Sequence, residues 1–352
     1  MARKITYAQA INEAYTEAMR LDKNVIAYGL GIDDPRGVFG TTLGLKEQFG
    51  EERVFDMPVS ENAMTGIAIG ASLNGIRPIV CHQRMDFFLL AMDQLVNNAA
   101  KWHYMFGGQS NVPITIRLII GRGWGQGPTH SQSLQAWLAH IPGLKVVVPT
   151  TASDAKGLLL SSIFDNNPVV YLEHRWLHNL ESEVPEGNYR IPIGKANRIK
   201  KGTDISIVSF SYMTIEALHA IKILEKEGIS CDLIDLRSLS PIDWEAIFNS
   251  VRKTGRLLTL DTGSASGSVS AEIIARVCME CFDAIKQPPQ RIALPDFPTP
   301  TSFYLTKYFY HGAEDIVHKV MKMLDRDINK ETLKIHGKFP HDVPGDWFKG
   351  PF

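Results

Sequence analysis

The chain has 352 residues, 44% of them hydrophobic, and its 37 basic and 38 acidic side chains leave a formal net charge of −1. That length supports two domains with separate cores, and the balanced charge argues against a nucleic-acid face or a polybasic membrane patch. No apolar run of about 18 residues occurs, and the start, Met-Ala-Arg-Lys, lacks the apolar stretch of a signal peptide, so a cytoplasmic protein without membrane contact is expected.

Apolar positions recur at helical spacing over 7–21, and 24–28 follows as a short strand. A Gly- and Pro-rich loop over 33–42 and a short helix over 43–49 lead to an apolar strand over 54–59. Ser60 then reads as a helix N-cap, with Ala63, Ile67 and Ala71 on one face of the helix that follows. Gly66 and Gly70 leave that helix thin enough to press on another backbone. Glu61 takes its first position, where an exposed carboxylate would contribute roughly 0.3–1 kcal/mol by complementing the helix dipole. Since the helix is small and apolar on nearly every face, Glu61 would be the one charge entering a buried seam. A buried carboxylate needs a partner to offset its desolvation, which makes it a functional candidate.

Asn74-Gly75 is a turn and 77–83 a strand; a mostly apolar helix over 87–106 closes at Gly107-Gly108, and 112–120 is a Val/Ile/Thr-rich strand. Gly121-Arg-Gly-Trp-Gly-Gln-Gly-Pro-Thr-His130 has neither the dinucleotide fingerprint nor a Walker Gly-Lys-Ser/Thr. Its alternating glycines fit a mobile flap whose backbone approaches a substrate. His130, at the end of that flap, reads equally as a proton-transfer group and as a structural hydrogen-bonding residue. Ser131 reads as the cap of a helix to His140, 144–148 as a strand, Ser153 as the cap of a helix to Phe164, and 168–173 as a strand. His140 is placed as a helix C-terminal cation. Gln83-Arg-Met-Asp-Phe87 sets polar groups and an aromatic at a strand end, and spacing alone favours Phe87 in the core.

Strands alternating with helices predict an α/β fold with a doubly wound parallel sheet, and ligands bind beyond the C-terminal ends of such strands. Glu61, Gln83 and the 121–130 loop all fall at such ends. Residues 186–203 are polar, with a basic run over 195–201, and read as a linker. The alternation restarts with strands over 205–210, 231–236, 256–261 and 291–294 and helices over 212–227, 243–251, 269–285 and 312–325. The expected division is therefore a first domain over 1–185, the linker, a second domain over 204–328, and an arm over 329–352 carrying Trp347 and Phe348. Cys278-Met-Glu-Cys281 has CxxC spacing but sits in a helical pattern with no second Cys or His pair nearby, which suits structural thiols in a reducing compartment. No Ser-His-Asp order, HExxH or paired metal carboxylates emerge. The residues alone support a two-domain α/β protein with a site near Glu61, Gln83, Phe87 and His130.

Pro58-Val-Ser-Glu-Asn-Ala, Gly75-Ile-Arg-Pro-Ile-Val, Met85-Asp-Phe, Asp93-Gln-Leu-Val-Asn, Phe106-Gly-Gly-Gln, Thr129-His-Ser-Gln-Ser and Pro142-Gly-Leu-Lys-Val-Val-Val-Pro carry a resemblance. The chain resembles, over residues 4–325, the beta subunit of the thiamine-diphosphate-dependent dehydrogenase component of 2-oxo acid dehydrogenase complexes, of the pyruvate, branched-chain or acetoin type. The resemblance implies a pyrimidine-binding domain followed by a transketolase-type C-terminal domain. It implies that Glu61 hydrogen-bonds a ring nitrogen of the cofactor's aminopyrimidine and favours its imino tautomer. Phe87 would stack on that ring, with Gln83 also at the cofactor, and His130 would help pass the acyl group to a lipoyl arm. A potassium site made mainly of backbone carbonyls would map to Ile114, Ser162, Ile163, Asp165 and Asn167.

The family's magnesium- and diphosphate-binding Gly-Asp-Gly does not occur in this chain. The resemblance therefore implies an alpha subunit that holds magnesium and the other half of the thiamine diphosphate, in an alpha-two beta-two tetramer. A lipoyl-bearing acyltransferase would be the acceptor and a small 2-oxo acid the substrate. Arg84 departs from the pattern by placing a charge close to the substrate pocket, and Asp261-Thr-Gly-Ser-Ala-Ser-Gly-Ser and Pro300-Thr-Ser-Phe-Tyr depart from it in the second domain. Two alternatives stay open: a split transketolase-like or deoxyxylulose-phosphate-synthase-like subunit that moves a two-carbon unit, and a non-catalytic subunit that only completes an oligomer.

Overall fold

The computed structural model describes residues 3–121, 125–328 and 333. Among these, a seven-stranded sheet organises the first half of the chain, in the spatial order Ser238–Ser240, Lys145–Val147, Val169–His174, Thr115–Ile120, Arg77–His82, Val25–Gly29, Val54–Asp56. The last six run parallel. The first comes from the second half of the chain and pairs antiparallel with Lys145–Val147. A five-stranded sheet organises the second half, in the order Gln290–Leu294, Leu257–Ser264, Ile205–Ser209, Cys231–Asp235, Asn197–Lys200. Asn197–Lys200, inside the stretch expected to be linker, is its antiparallel edge.

Successive strand residues face opposite sides of a sheet, so each sheet feeds two cores. Ile79, Cys81, Val169 and Tyr171 enter one core, while Val80, Val170 and Leu172 enter the other. The second sheet divides in the same way, Ile205, Ile207 and Leu233 joining the first core and Val208 and Ile234 the second. Both cores thus run without interruption from one sheet to the other. The fold is α/β in both halves, as expected.

The Tyr7–Leu21 helix starts at a capping box, Thr6 Oγ1 accepting from Gln9 N at 3.1 Å and Gln9 Oε1 from Thr6 N at 2.9 Å. Several local expectations need correction. The cap of the Ala152–Ile163 helix is Thr151, whose Oγ1 accepts from Asp154 N at 3.1 Å, and not Ser153. Ser60 holds the N-cap position of Glu61–Ser72 without a side-chain cap, because its hydroxyl donates to Pro58 O at 3.2 Å. The helix expected from Ser131 to His140 shrinks to Gln135–Ala139. The long helix over 87–106 is instead a chain of short pieces, Met85–Phe88, Leu89–Ala91, a π-helical Gln94–Ala99 and Ala100–Met105. No helix among the described residues is long and apolar enough to cross a membrane. The expected C-terminal arm, with Trp347 and Phe348, lies outside the described residues except for Leu333, which is buried in the first core.

Candidate active site

The strand order reverses at Val25–Gly29: the chain goes from it to the outer neighbour Val54–Asp56 and then returns to Arg77–His82 on the other side. Such a switch point opens a crevice at the C-terminal strand ends. Gly31 and Gln83 face each other there. Gly31 has φ +76°, which strains any other residue, and a Cβ on it would stand 2.5 Å from Gln83 Nε2 and push that amide aside. Asp56 pins the same loop by accepting from Ile32 N at 2.6 Å and Gly31 N at 3.2 Å.

Glu61 begins the helix that follows the outer strand, and that helix packs against Arg77–His82 and the Leu89–Ala91 turn. Tyr28 fixes it from below, donating to Met64 O at 2.8 Å. Residues 61, 64, 65, 68, 69 and 72 form the buried face. The face shared by Ala63 and Ile67 is turned outward, Ala63 being exposed and Ile67 51% exposed. Glu61 itself is only 6% exposed, and its carboxylate has no hydrogen-bond or ion-pair partner among the described residues.

Phe87 is not a core residue. It is 36% exposed and meets His130 edge-to-face, ring centres 5.2 Å apart at 88°. A tie that spacing does not reveal brings them together: Asp86 Oδ1 accepts from Gln132 Nε2 at 2.8 Å and from Gln132 N at 3.3 Å, joining the turn that carries Phe87 to the segment that carries His130. Thr129 Oγ1 lies 3.0 Å from His130 Nδ1, and no hydrogen bond to Nε2 is seen among the described residues. The structure therefore brings Phe87 and His130 together and places Gln83 on Gly31, while no hydrogen bond links Glu61 to any of the three.

The glycine-rich loop is described at its two ends; Arg122, Gly123 and Trp124, on which part of the flap reading falls, lie outside the described residues. Gly121 has φ +93° and a Cβ there would stand 2.2 Å from His174 Nε2; Gly127 has φ +71° and would bring a Cβ to 2.5 Å from Thr301 Oγ1. The loop thus lies against the first sheet at one end and against the second domain at the other. Gln126 accepts at Oε1 from the buried side chains of both Arg84 and Arg175, the second at 3.2 Å. Neither Gln126 nor Arg175 has a local sequence signature, and neither was singled out from spacing.

Two further buried groups frame the site. His82, directly before Gln83, is fully buried with neither ring nitrogen hydrogen-bonded, and burial pushes its pKa down to about 4. Glu173 is also fully buried. Burial alone would push its pKa up, but Arg117 and His178 outweigh that and hold the carboxyl at about 2. Arg117 Nε donates to Glu173 Oε2 at 2.8 Å, and His178 Nε2 stands 3.0 Å from Oε1.

Ile114, Ser162, Ile163, Asp165 and Asn167 cluster around the end of the Ala152–Ile163 helix and the turn after it. Arg77 Nη1 donates to the Ile163 and Asp165 carbonyls at 3.3 and 3.0 Å, and Lys145 Nζ reaches Asp165 Oδ2 at 2.5 Å. No group of three or more His, Cys, Asp or Glu side chains among the described residues is arranged to hold a metal ion. The four cysteines are free thiols.

The transketolase pyrimidine-binding domain model matches residues 3–179, and the transketolase C-terminal domain model matches residues 194–316. The chain is 42% identical over 334 residues to the beta subunit of the acetoin:2,6-dichlorophenolindophenol oxidoreductase of Cupriavidus necator, covering 92% of this chain and 98% of that protein. It is 40% identical over 331 residues to subunit beta-1 of the mitochondrial pyruvate dehydrogenase E1 component of Oryza sativa subsp. japonica, covering 93% and 88%. A solved structure described as a split gene transketolase, inactive beta4 tetramer, shares the fold with a TM-score of 0.75, at 23% identity over 91% of this chain and 98% of that chain.

Proposed function

Since the chain belongs to the family of pyruvate- and acetoin-type dehydrogenase E1 beta subunits, built from transketolase pyrimidine-binding and C-terminal domains, we propose that it supplies the carboxylate half of a thiamine-diphosphate site for oxidative decarboxylation of a 2-oxo acid. The observation that carries this reading is Glu61, 6% exposed at the first position of the helix that follows the outer strand, without a polar partner for its carboxylate among the described residues. A carboxylate that no protein donor engages is open to a ligand N–H, and a charge-assisted bond of that kind is stronger than a neutral one.

Bound thiamine diphosphate supplies an electron sink that protein side chains lack. The chain's own residues bind and orient. Glu61 holds a proton at the pyrimidine ring nitrogen. Phe87 offers its exposed ring to the heterocycle, and Gln83, set by Gly31, lines the crevice beside it. His130, with Nδ1 engaged by Thr129, holds or moves a proton at Nε2.

The proposal extends to partners. Val59, Ile67 and Leu90 are 77, 51 and 69% exposed around the Glu61 helix, and an alpha subunit covering them would complete an alpha-two beta-two tetramer and hold magnesium and the diphosphate. A lipoyl-bearing acyltransferase in the cytoplasm would be the acyl acceptor. The potassium mapping fits less well, since Arg77 already occupies two of its five carbonyls, and no step is assigned to that ion.

The test is reconstitution with the alpha subunit and turnover with a dye acceptor. Glu61→Ala should lower kcat by roughly 10²–10⁴-fold while the tetramer still forms. Near-normal turnover would contradict the role. Delivery of the product to an aldehyde rather than to a lipoyl domain would favour the two-carbon-transfer alternative.

A further inference from the structure

Arg84 and Arg175 follow two strands of the first sheet that flank Thr115–Ile120, and they are 6% and 3% exposed. Arg84 follows Gln83 and precedes the turn that carries Phe87; Arg175 follows the Val169–His174 strand. Both guanidinium groups donate to one oxygen, Gln126 Oε1, so their nitrogens stand within roughly 6 Å of each other. Arg84 otherwise donates to the Gly121 carbonyl, at 3.5 Å; burial lowers its pKa, the Asp86 carboxylate partly opposes that from beyond ion-pair distance, and it forms no ion pair among the described residues. Burial, and after it the charge of Arg84, together push the Arg175 pKa down to about 10. Gln126 is an exposed residue of the glycine-rich loop, four positions before His130.

Two buried cations converging on a neutral amide oxygen mark the place where an anionic oxygen would bind more strongly. Charge-assisted bonds to a carboxylate are about twice as strong as neutral ones. Gln126 is exposed, so a carboxylate arriving from solvent can compete with its neutral amide for both donors. Resting on the function proposed above, we infer that Arg84 and Arg175 form a subsite for a second, non-reacting carboxylate of the substrate, so that the preferred 2-oxo acid is a dicarboxylate. The reacting carboxylate is a poor occupant. It leaves as neutral carbon dioxide, and a pair of cations holding it would favour the ground state over the transition state.

The experiment compares 2-oxoglutarate with 2-oxopentanoate, which has the same chain without the distal carboxylate, as substrates of the reconstituted complex with a dye acceptor. The wild type should favour 2-oxoglutarate at least tenfold in kcat/KM. Arg84→Gln should reduce that ratio at least tenfold, chiefly through KM for the dicarboxylate. Gln126→Glu places a resident carboxylate between the arginines. It should raise Tm by about 2 °C or more and also erode the preference. A wild-type preference for 2-oxopentanoate, or a ratio unmoved by Arg84→Gln, overturns the inference while leaving the 2-oxo acid reading intact. If no 2-oxo acid is turned over, that reading fails, and the Tm of Gln126→Glu still decides the site: no rise refutes it.

Discussion

Glu61 and Glu173 are both buried carboxylates of the same domain, and they are treated in opposite ways. Glu173 is enclosed by Arg117 and His178, and Arg117 in turn donates to Thr41 Oγ1 at 2.6 Å and lies over the Tyr15 ring at 5.7 Å. Every group in that cluster serves another. Glu61, at the crevice, has no such company among the described residues. The contrast separates a carboxylate enclosed by protein partners from one that, on the function proposed above, is kept for a ligand. Burial by itself marks neither role; the partners do.

The largest effect should come from breaking the closed cluster. Glu173→Leu strands Arg117 as a buried, uncompensated cation and should cost about 3–5 kcal/mol, read as a fall in unfolding free energy by denaturant titration. If stability hardly changes, Arg117 is not held by Glu173 and the contrast loses one side.

His82 sharpens the comparison through pH. Its folded pKa of about 4 lies below the unfolded value of 6.5, so the unfolded chain takes up the proton first. Its contribution is complete above the unfolded value and is lost as pH falls from about 6.5 towards 4, by at most about 1.4 kcal/mol per pH unit. Unfolding measured between pH 7 and pH 5 should show that slope, and His82→Phe should flatten it. An unchanged slope in the variant would assign the pH dependence elsewhere.

Phe87→Ala removes an exposed ring and little core packing, so its cost should appear in thiamine-diphosphate affinity, weakened about tenfold in calorimetry on the complex, a stacking loss of about 1.4 kcal/mol. The smallest effect is expected for Asp86→Asn, which keeps one acceptor for Gln132 and weakens a charge-assisted bond. A modest KM increase, with little change in Tm, would show that the tie positions His130 and Phe87 rather than supporting the fold.

Much of this site could be read locally. A strand-to-helix junction with Glu61 at its start, glycines alternating up to His130, and Gln83 at a strand end each have a short-range pattern, and the structure puts each at a C-terminal strand edge. Spacing misplaces Phe87 because an aromatic in an apolar run has the same spacing whether it closes the core or lines its rim. The 87–106 segment was read as one helix since a period near 3.6 does not separate an α turn from the π turn at Gln94–Ala99. Ser238–Ser240 joins the first sheet from across the chain, and Arg84, Gln126 and Arg175 meet from three separate loops. Pairings over such distances leave no trace in any short window.

The most direct test of the contrast between the two glutamates is Glu61→Gln in the reconstituted complex, with Tm and dye-coupled turnover measured on the same preparation. Removing an unpartnered buried charge while keeping its shape should leave Tm level or higher and reduce turnover at least about a hundredfold. A lower Tm with near-normal turnover would contradict the account, because Glu61 would then be a structural carboxylate like Glu173.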